Sequence, residues 1–93
     1  MRLKQFEIDA IKSSLKQFDN NAKVYLFGSR IDDSKRGGDI DLLIISDKID
    51  FDKKLKLLIK IKQLIAEQKI DLVVAKNLKN SFADYISEGM IEL

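Results

Sequence analysis

Cysteine, histidine and proline are all absent from the 93-residue chain. Without cysteine there are no disulfides and no thiolate metal sites, and without histidine no imidazole ligands or imidazole bases. Any catalysis must therefore rest on carboxylates, hydroxyls, lysine, arginine or a hard metal ion. No apolar run reaches membrane-spanning length, and the opening "MRLKQFEIDAIKSS" lacks a secretory apolar core and a small-residue cleavage site. A cytoplasmic protein without membrane association is expected. Neither charge sign dominates: 17 Lys and Arg against 15 Asp and Glu leave a net +2, which does not call for direct nucleic-acid binding. The length allows one small domain, residues 1–93, with no linker, repeat or low-complexity tract. At 45% hydrophobic and 34% charged, the chain can build a core and stay in solution.

Periodicity supplies the elements. Ile8, Ile11, Leu15 and Phe18 recur at helical spacing and predict an amphipathic helix over Lys4–Phe18, stopped by Asp19-Asn20-Asn21. Val24–Phe27 reads as a short strand, and Asp39–Ile45 as a second, whose LLII is apolar on both faces and so belongs in the middle of a sheet. Leu55, Leu58, Ile59, Ile61, Leu64 and Ile65 predict a second long helix from about Asp52 to Gln68. The lysines of its "DKKLKLLIKIK" read as a solvated face, ahead of a basic docking surface for RNA or an acidic partner. "KIDLVVA" (Lys69–Ala75) is a third strand, and "NSFADYISEGM" a last helix over about Lys79–Ser87, closed by Gly89. With a short helix starting near Arg30, the order is α-β-α-β-α-β-α. It predicts an α/β fold with a small mixed sheet of three strands, or slightly more, flanked by helices.

One stretch departs from ordinary patterning: "YLFGSRIDDSKRGGDIDLLII", Tyr25–Ile45. Asp39 and Asp41 alternate with Ile40 and Leu42, so the two carboxylates project together from one face of a strand. No lysine or arginine is interleaved in that triplet, and two carboxylates so close repel unless a cation sits between them. A hard divalent ion with oxygen ligands resolves the conflict, and Mg²⁺ is the usual occupant where few carboxylates join substrate phosphates. Asp71 opens the third strand among apolar neighbours and is as unexpected as the pair. For Asp71 to meet Asp41, strands two and three must be parallel, and the Asp52–Gln68 helix supplies the crossover. For Ser29 to meet Asp39, strands one and two must be antiparallel. Gly28 permits a sharp turn and close ligand approach, and Ser29 can cap a short helix whose free N–H groups face an anion, naturally a nucleoside triphosphate. Arg30 adds charge there, or pairs with Asp32 or Asp33. Taken singly, a Gly-Ser turn and a strand-end acid are ordinary; their conjunction makes a site.

These same segments, "LFGSRIDDSKRGGDIDLLI" with "IDLVV" downstream, resemble the DNA polymerase beta-type nucleotidyltransferase superfamily, whose signature is a GS turn, a variable spacer and a D-x-D strand. The small size and "SEGM" ending are similar to the minimal nucleotidyltransferases, the antitoxins paired with HEPN ribonuclease toxins. The resemblance implies that Gly28 and Ser29 hold the triphosphate of ATP, with Arg30 beside it, and that Asp39 and Asp41 ligate two Mg²⁺ ions. It also implies that Asp71 is the third carboxylate, binding metal and orienting the acceptor hydroxyl. The implied acceptor is a tyrosine of the cognate HEPN toxin, which is adenylylated and silenced, with homo- or hetero-oligomers possible in such a system. Two alternatives stand beside it: an antitoxin that neutralises by binding alone, and a nucleotidyltransferase acting on a small hydroxylated molecule.

Overall fold

The computed structural model describes residues 3–28, 40–65, 69–77 and 90–93. Within them the chain runs α1 (Gln5–Lys16), β1 (Lys23–Phe27), β2 (Ile40–Ile45), α2 (Phe51–Leu64), β3 (Ile70–Ala75) and β4 (Ile91–Glu92). The four strands form one mixed sheet in the order β3-β2-β1-β4, with β1 antiparallel to both β2 and β4 and β2 parallel to β3. This is a small α/β fold, and both strand directions expected from the sequence are present. The apolar run of β2 does lie inside the sheet, between β1 and β3.

Alternation sorts each strand onto two faces. Val24, Leu26, Ile40, Leu42, Ile44, Ile70 and Leu72 point one way and are buried against Ile11 and Leu15 of α1 and Leu57 and Ile61 of α2. Tyr25 and Leu43 point the other way and are buried with Phe27, Ile45, Val73, Ala75 and Met90 around them. Both helices lie on the first face, so the described second face carries the strand-end acids.

Local chemistry sets the helix ends. The Glu7 carboxylate reaches back to accept from the Lys4 backbone N–H at 2.9 Å, satisfying one orphan donor of the first turn. Asp50 caps α2 by accepting from the Lys53 N–H at 2.9 Å. A buried polar tie joins the turn after α1 to the end of β2: Ser46 Oγ donates to Asp19 Oδ2 at 2.6 Å, and the Asn21 N–H donates to Asp19 Oδ1 at 3.0 Å. These two bonds, the Ser46 one foremost, hold the Asp19 carboxyl below its ordinary value of 3.8, with Lys48 and Lys53 adding to the effect against the opposing pull of burial.

Several sequence expectations are revised. The second helix stops at Leu64, where Ile65 leaves helical geometry at φ −120°, ψ 77°, short of the expected Gln68. Its inward face is Leu57, Ile61 and Ile65, whereas Leu55, Ile59 and Leu64 are exposed. The apolar arc of α2 is wider than the surface the sheet covers, which periodicity alone does not reveal. The first helix is Gln5–Lys16, within the expected Lys4–Phe18. Strand β4 was not anticipated, because two residues carry no periodicity. The short helix near Arg30 and the last helix over about Lys79–Ser87 lie outside the described residues.

Two stability predictions follow from these polar groups. Ser14 Oγ, on the buried face of α1, has no hydrogen-bond partner among the described residues. Ser14→Ala removes a desolvated hydroxyl and improves helix propensity, so it should raise stability by about 0.5–2 kcal/mol in urea titrations. Because Asp19 titrates lower when folded than unfolded, the stability it contributes is complete above its unfolded value. That contribution is lost as pH falls through the lower folded one. Asp19→Asn should accordingly lower the melting temperature at neutral pH and flatten its decline below about pH 4.

Candidate active site

The site is assembled by sheet register. In the parallel β2–β3 pair Ile40 is opposite Ile70, Asp41 opposite Asp71 and Leu42 opposite Leu72. The ladder is pinned at its start by Ile40 N–H donating to Lys69 O and at its end by Ser46 N–H donating to Ala75 O, both at 2.9 Å. Ile40, Leu42, Ile70 and Leu72 are committed to the helix-covered core, so Asp41 and Asp71 must both emerge on the opposite face. Neighbouring strands lie about 4.8 Å apart, which brings the two carboxylates side by side. Asp41 is half-buried and Asp71 exposed, so the pair sits at the surface of the sheet.

The end of β1 completes this edge. Phe27 pairs with Asp41 across the antiparallel ladder, and Gly28 follows at φ +80°, in the left-handed region that favours glycine. A Cβ built on Gly28 would run into the Asp41 carboxylate, colliding with Oδ2 and lying 3.2 Å from Cγ. Glycine is required here twice, once by backbone angle and once by the carboxylate pressed against its α-carbon.

The structure therefore brings together Gly28, Asp41 and Asp71 of the six residues singled out from sequence. The other three, Ser29, Arg30 and Asp39, lie outside the described residues. Among the described residues no cluster of three or more Asp, Glu, His or Cys side chains could hold a metal ion. The described donors are two carboxylates in register, hard oxygen ligands of the type Mg²⁺ prefers, so their chemistry fits that ion as far as it extends. A groove of about 560 Å³ lies at the other end of β2 and β3, lined in part by Ser46, Ile49, Phe51 and Val74, and includes none of the site residues. That groove was not anticipated from sequence, since the loop Ser46–Asp50 and the strand end at Val74 are far apart in the chain. No described helix is long and apolar enough to cross a membrane.

Comparison with known proteins agrees with this geometry. The family model described as polymerase beta, nucleotidyltransferase, matches residues 9–92. The chain belongs to that nucleotidyltransferase family. No curated protein matches it. The match runs from within α1 through β4 and hence includes both described carboxylates and Gly28.

The contact between Gly28 and Asp41 is separable by a double-mutant cycle. Gly28→Ala should cost about 1–3 kcal/mol, from positive φ and from displacement of the carboxylate. In an Asp41→Ala background the cost should fall to the backbone part alone, by chemical denaturation. Equal costs in both backgrounds would show that the carboxylate does not press on Gly28.

Proposed function

We infer that this nucleotidyltransferase transfers AMP from ATP to a hydroxyl of a partner protein, in the manner of the minimal antitoxins that modify a tyrosine of a HEPN ribonuclease toxin. The observation that carries nucleotidyl transfer is the register of Asp41 with Asp71 beside the left-handed Gly28. Asp39, one residue before the described start of β2, belongs to the same strand pattern and supplies a third acid in this reading. Asp39, Asp41 and Asp71 would hold Mg²⁺, in this reading two ions, which stabilises charge on the entering and leaving oxygens of an in-line displacement.

The residues of the chain have distinct tasks. Gly28 and Ser29 offer backbone and hydroxyl groups to the triphosphate, with Arg30 adding positive charge. Asp71, the more exposed carboxylate, faces solvent from which an acceptor approaches; it orients the acceptor hydroxyl and takes up its proton. The acceptor oxygen bonds to the α-phosphorus, the bond to the β,γ-pyrophosphate breaks, and pyrophosphate departs with the electron pair. The protein's share is position and charge, which requires neither the histidine nor the cysteine that the chain lacks.

Labelled ATP, Mg²⁺ and the toxin encoded beside the gene test this directly. Wild type should label the toxin, and Asp41→Asn or Asp71→Asn should reduce the initial rate by about a hundredfold or more. If neither wild type nor variants label the toxin yet all neutralise it, masking by binding replaces transfer. Label appearing only on an added aminoglycoside would favour a small-molecule acceptor.

A further inference from the structure

The face of α2 that the core leaves uncovered is apolar where solvent is expected. Phe51 is 72% exposed, Leu55 43% and Ile59 58%. At spacing i, i+4, i+8 the three form one continuous stripe, about 12 Å long at 1.5 Å per residue. Lys60, one residue beyond Ile59, turns the other way and bonds Gln17 at the end of α1, so the stripe lies on the flank away from α1. Phe51 and Lys54 instead line the 560 Å³ groove with Val74 of β3, so the stripe opens into that groove. β3 is the last described strand on this side of the sheet, and Val74, on its helix-covered face, is only half-buried. Stripe and groove meet at Phe51, joining an exposed apolar stripe to a groove whose apolar residues, Ile49, Phe51, Val74 and Ala75, are set among charged ones.

Its charge identifies the occupant. Phe51–Leu64 contains five lysines against one aspartate, a net +4, although the whole chain carries only +2. The single acid of α2, Asp52, is already engaged by Lys56 at 3.1 Å; of the two aspartates lining the groove, Asp50 is used as the α2 cap and Asp47 stands among three lysines, Lys48, Lys54 and Lys76. Lys54 at the groove and Lys62 further along flank the apolar residues, with Lys48 and Lys76 on the groove walls. We propose that this surface docks an acidic amphipathic helix of a partner protein, its apolar side chains lying along Phe51, Leu55 and Ile59 and its carboxylates meeting these lysines. A second copy of the chain is disfavoured because a two-fold contact would place +4 against +4. An anionic bilayer is disfavoured because a flat surface cannot fill the groove between Ile49, Phe51 and Val74. The groove lies at the end of β2 and β3 away from Asp41 and Asp71, and α2 covers the opposite face of the sheet from them, so this docking does not depend on the transfer reaction.

The probe is a fluorescein-labelled amphipathic helical peptide with leucine on one face and glutamate on the other, beside a counterpart with lysine replacing glutamate. Fluorescence anisotropy with the full chain should show binding of the glutamate peptide that weakens as salt is raised, and little binding of the lysine peptide. Leu55→Asp should weaken it about tenfold or more, as should Lys54→Glu/Lys62→Glu, which leaves the apolar stripe intact; circular dichroism confirms that each variant is folded. Asp41→Asn should bind the peptide like wild type, separating this surface from the catalytic reading. Equal binding of both peptides, binding of neither, or binding indifferent to Leu55→Asp overturns the proposal. So does Leu55-dependent capture by phosphatidylglycerol vesicles without peptide binding, or Leu55-dependent dimerisation in sedimentation, which would assign the face to lipid or to a second copy.

Discussion

Everything at the candidate site depends on the parallel register of β2 with β3. A slip of one residue would exchange Ile40, Leu42 and Ile44 for Asp41, Leu43 and Ile45 under the helices. That alternative buries a carboxylate beneath Ile11 and Leu57, without water and without a counter-ion, while exposing large aliphatic side chains. The hydrophobic effect on one face therefore fixes the carboxylates on the other. The core and the site are two consequences of the same alternation, and the cost of burying charge gives that alternation its fidelity.

The crossover helix is part of this constraint. A parallel pair cannot be joined by a tight turn, and α2 carries the chain back across the sheet so that β3 begins level with β2. The price of using one helix for this purpose is that only Leu57 and Ile61 of its interior positions become fully buried. Leu58 packs at the core's margin, and Phe51, Leu55, Ile59 and Leu64 are left on a flank that the sheet is too narrow to cover. The edge position of β3 thus explains both the site and the exposed stripe.

Much of this was legible in the sequence, for identifiable reasons. Asp39-Ile40-Asp41 and Ile70-Asp71-Leu72 place acids where strand patterning calls for aliphatic residues, and a charge in such a position is conspicuous. Strand directions followed from requiring Asp41 to meet Asp71 and the end of β1 to meet the start of β2. The helix of α2 was legible from its spacing, but which of its apolar residues are buried was not, because Leu55, Ile59 and Leu64 satisfy helical spacing as well as Ile61 does. Sequence spacing records which residues share a face but not how wide the opposing surface is. The Asp19–Ser46 tie was equally hidden, since nothing local links residues 27 positions apart.

Strand β4 is short, but its position has a consequence for synthesis. Ile91 and Glu92 pair with Leu26 and Tyr25, and the Leu93 N–H donates to Val24 O at 2.9 Å. The outer backbone of β1 thus finds its partner some 65 positions later in the chain. Until those residues leave the ribosome, a nascent chain with α1, β1, β2, α2 and β3 already made presents β1 as an open template for strand addition. Such an unpaired strand backbone is the kind of edge on which partly made chains associate.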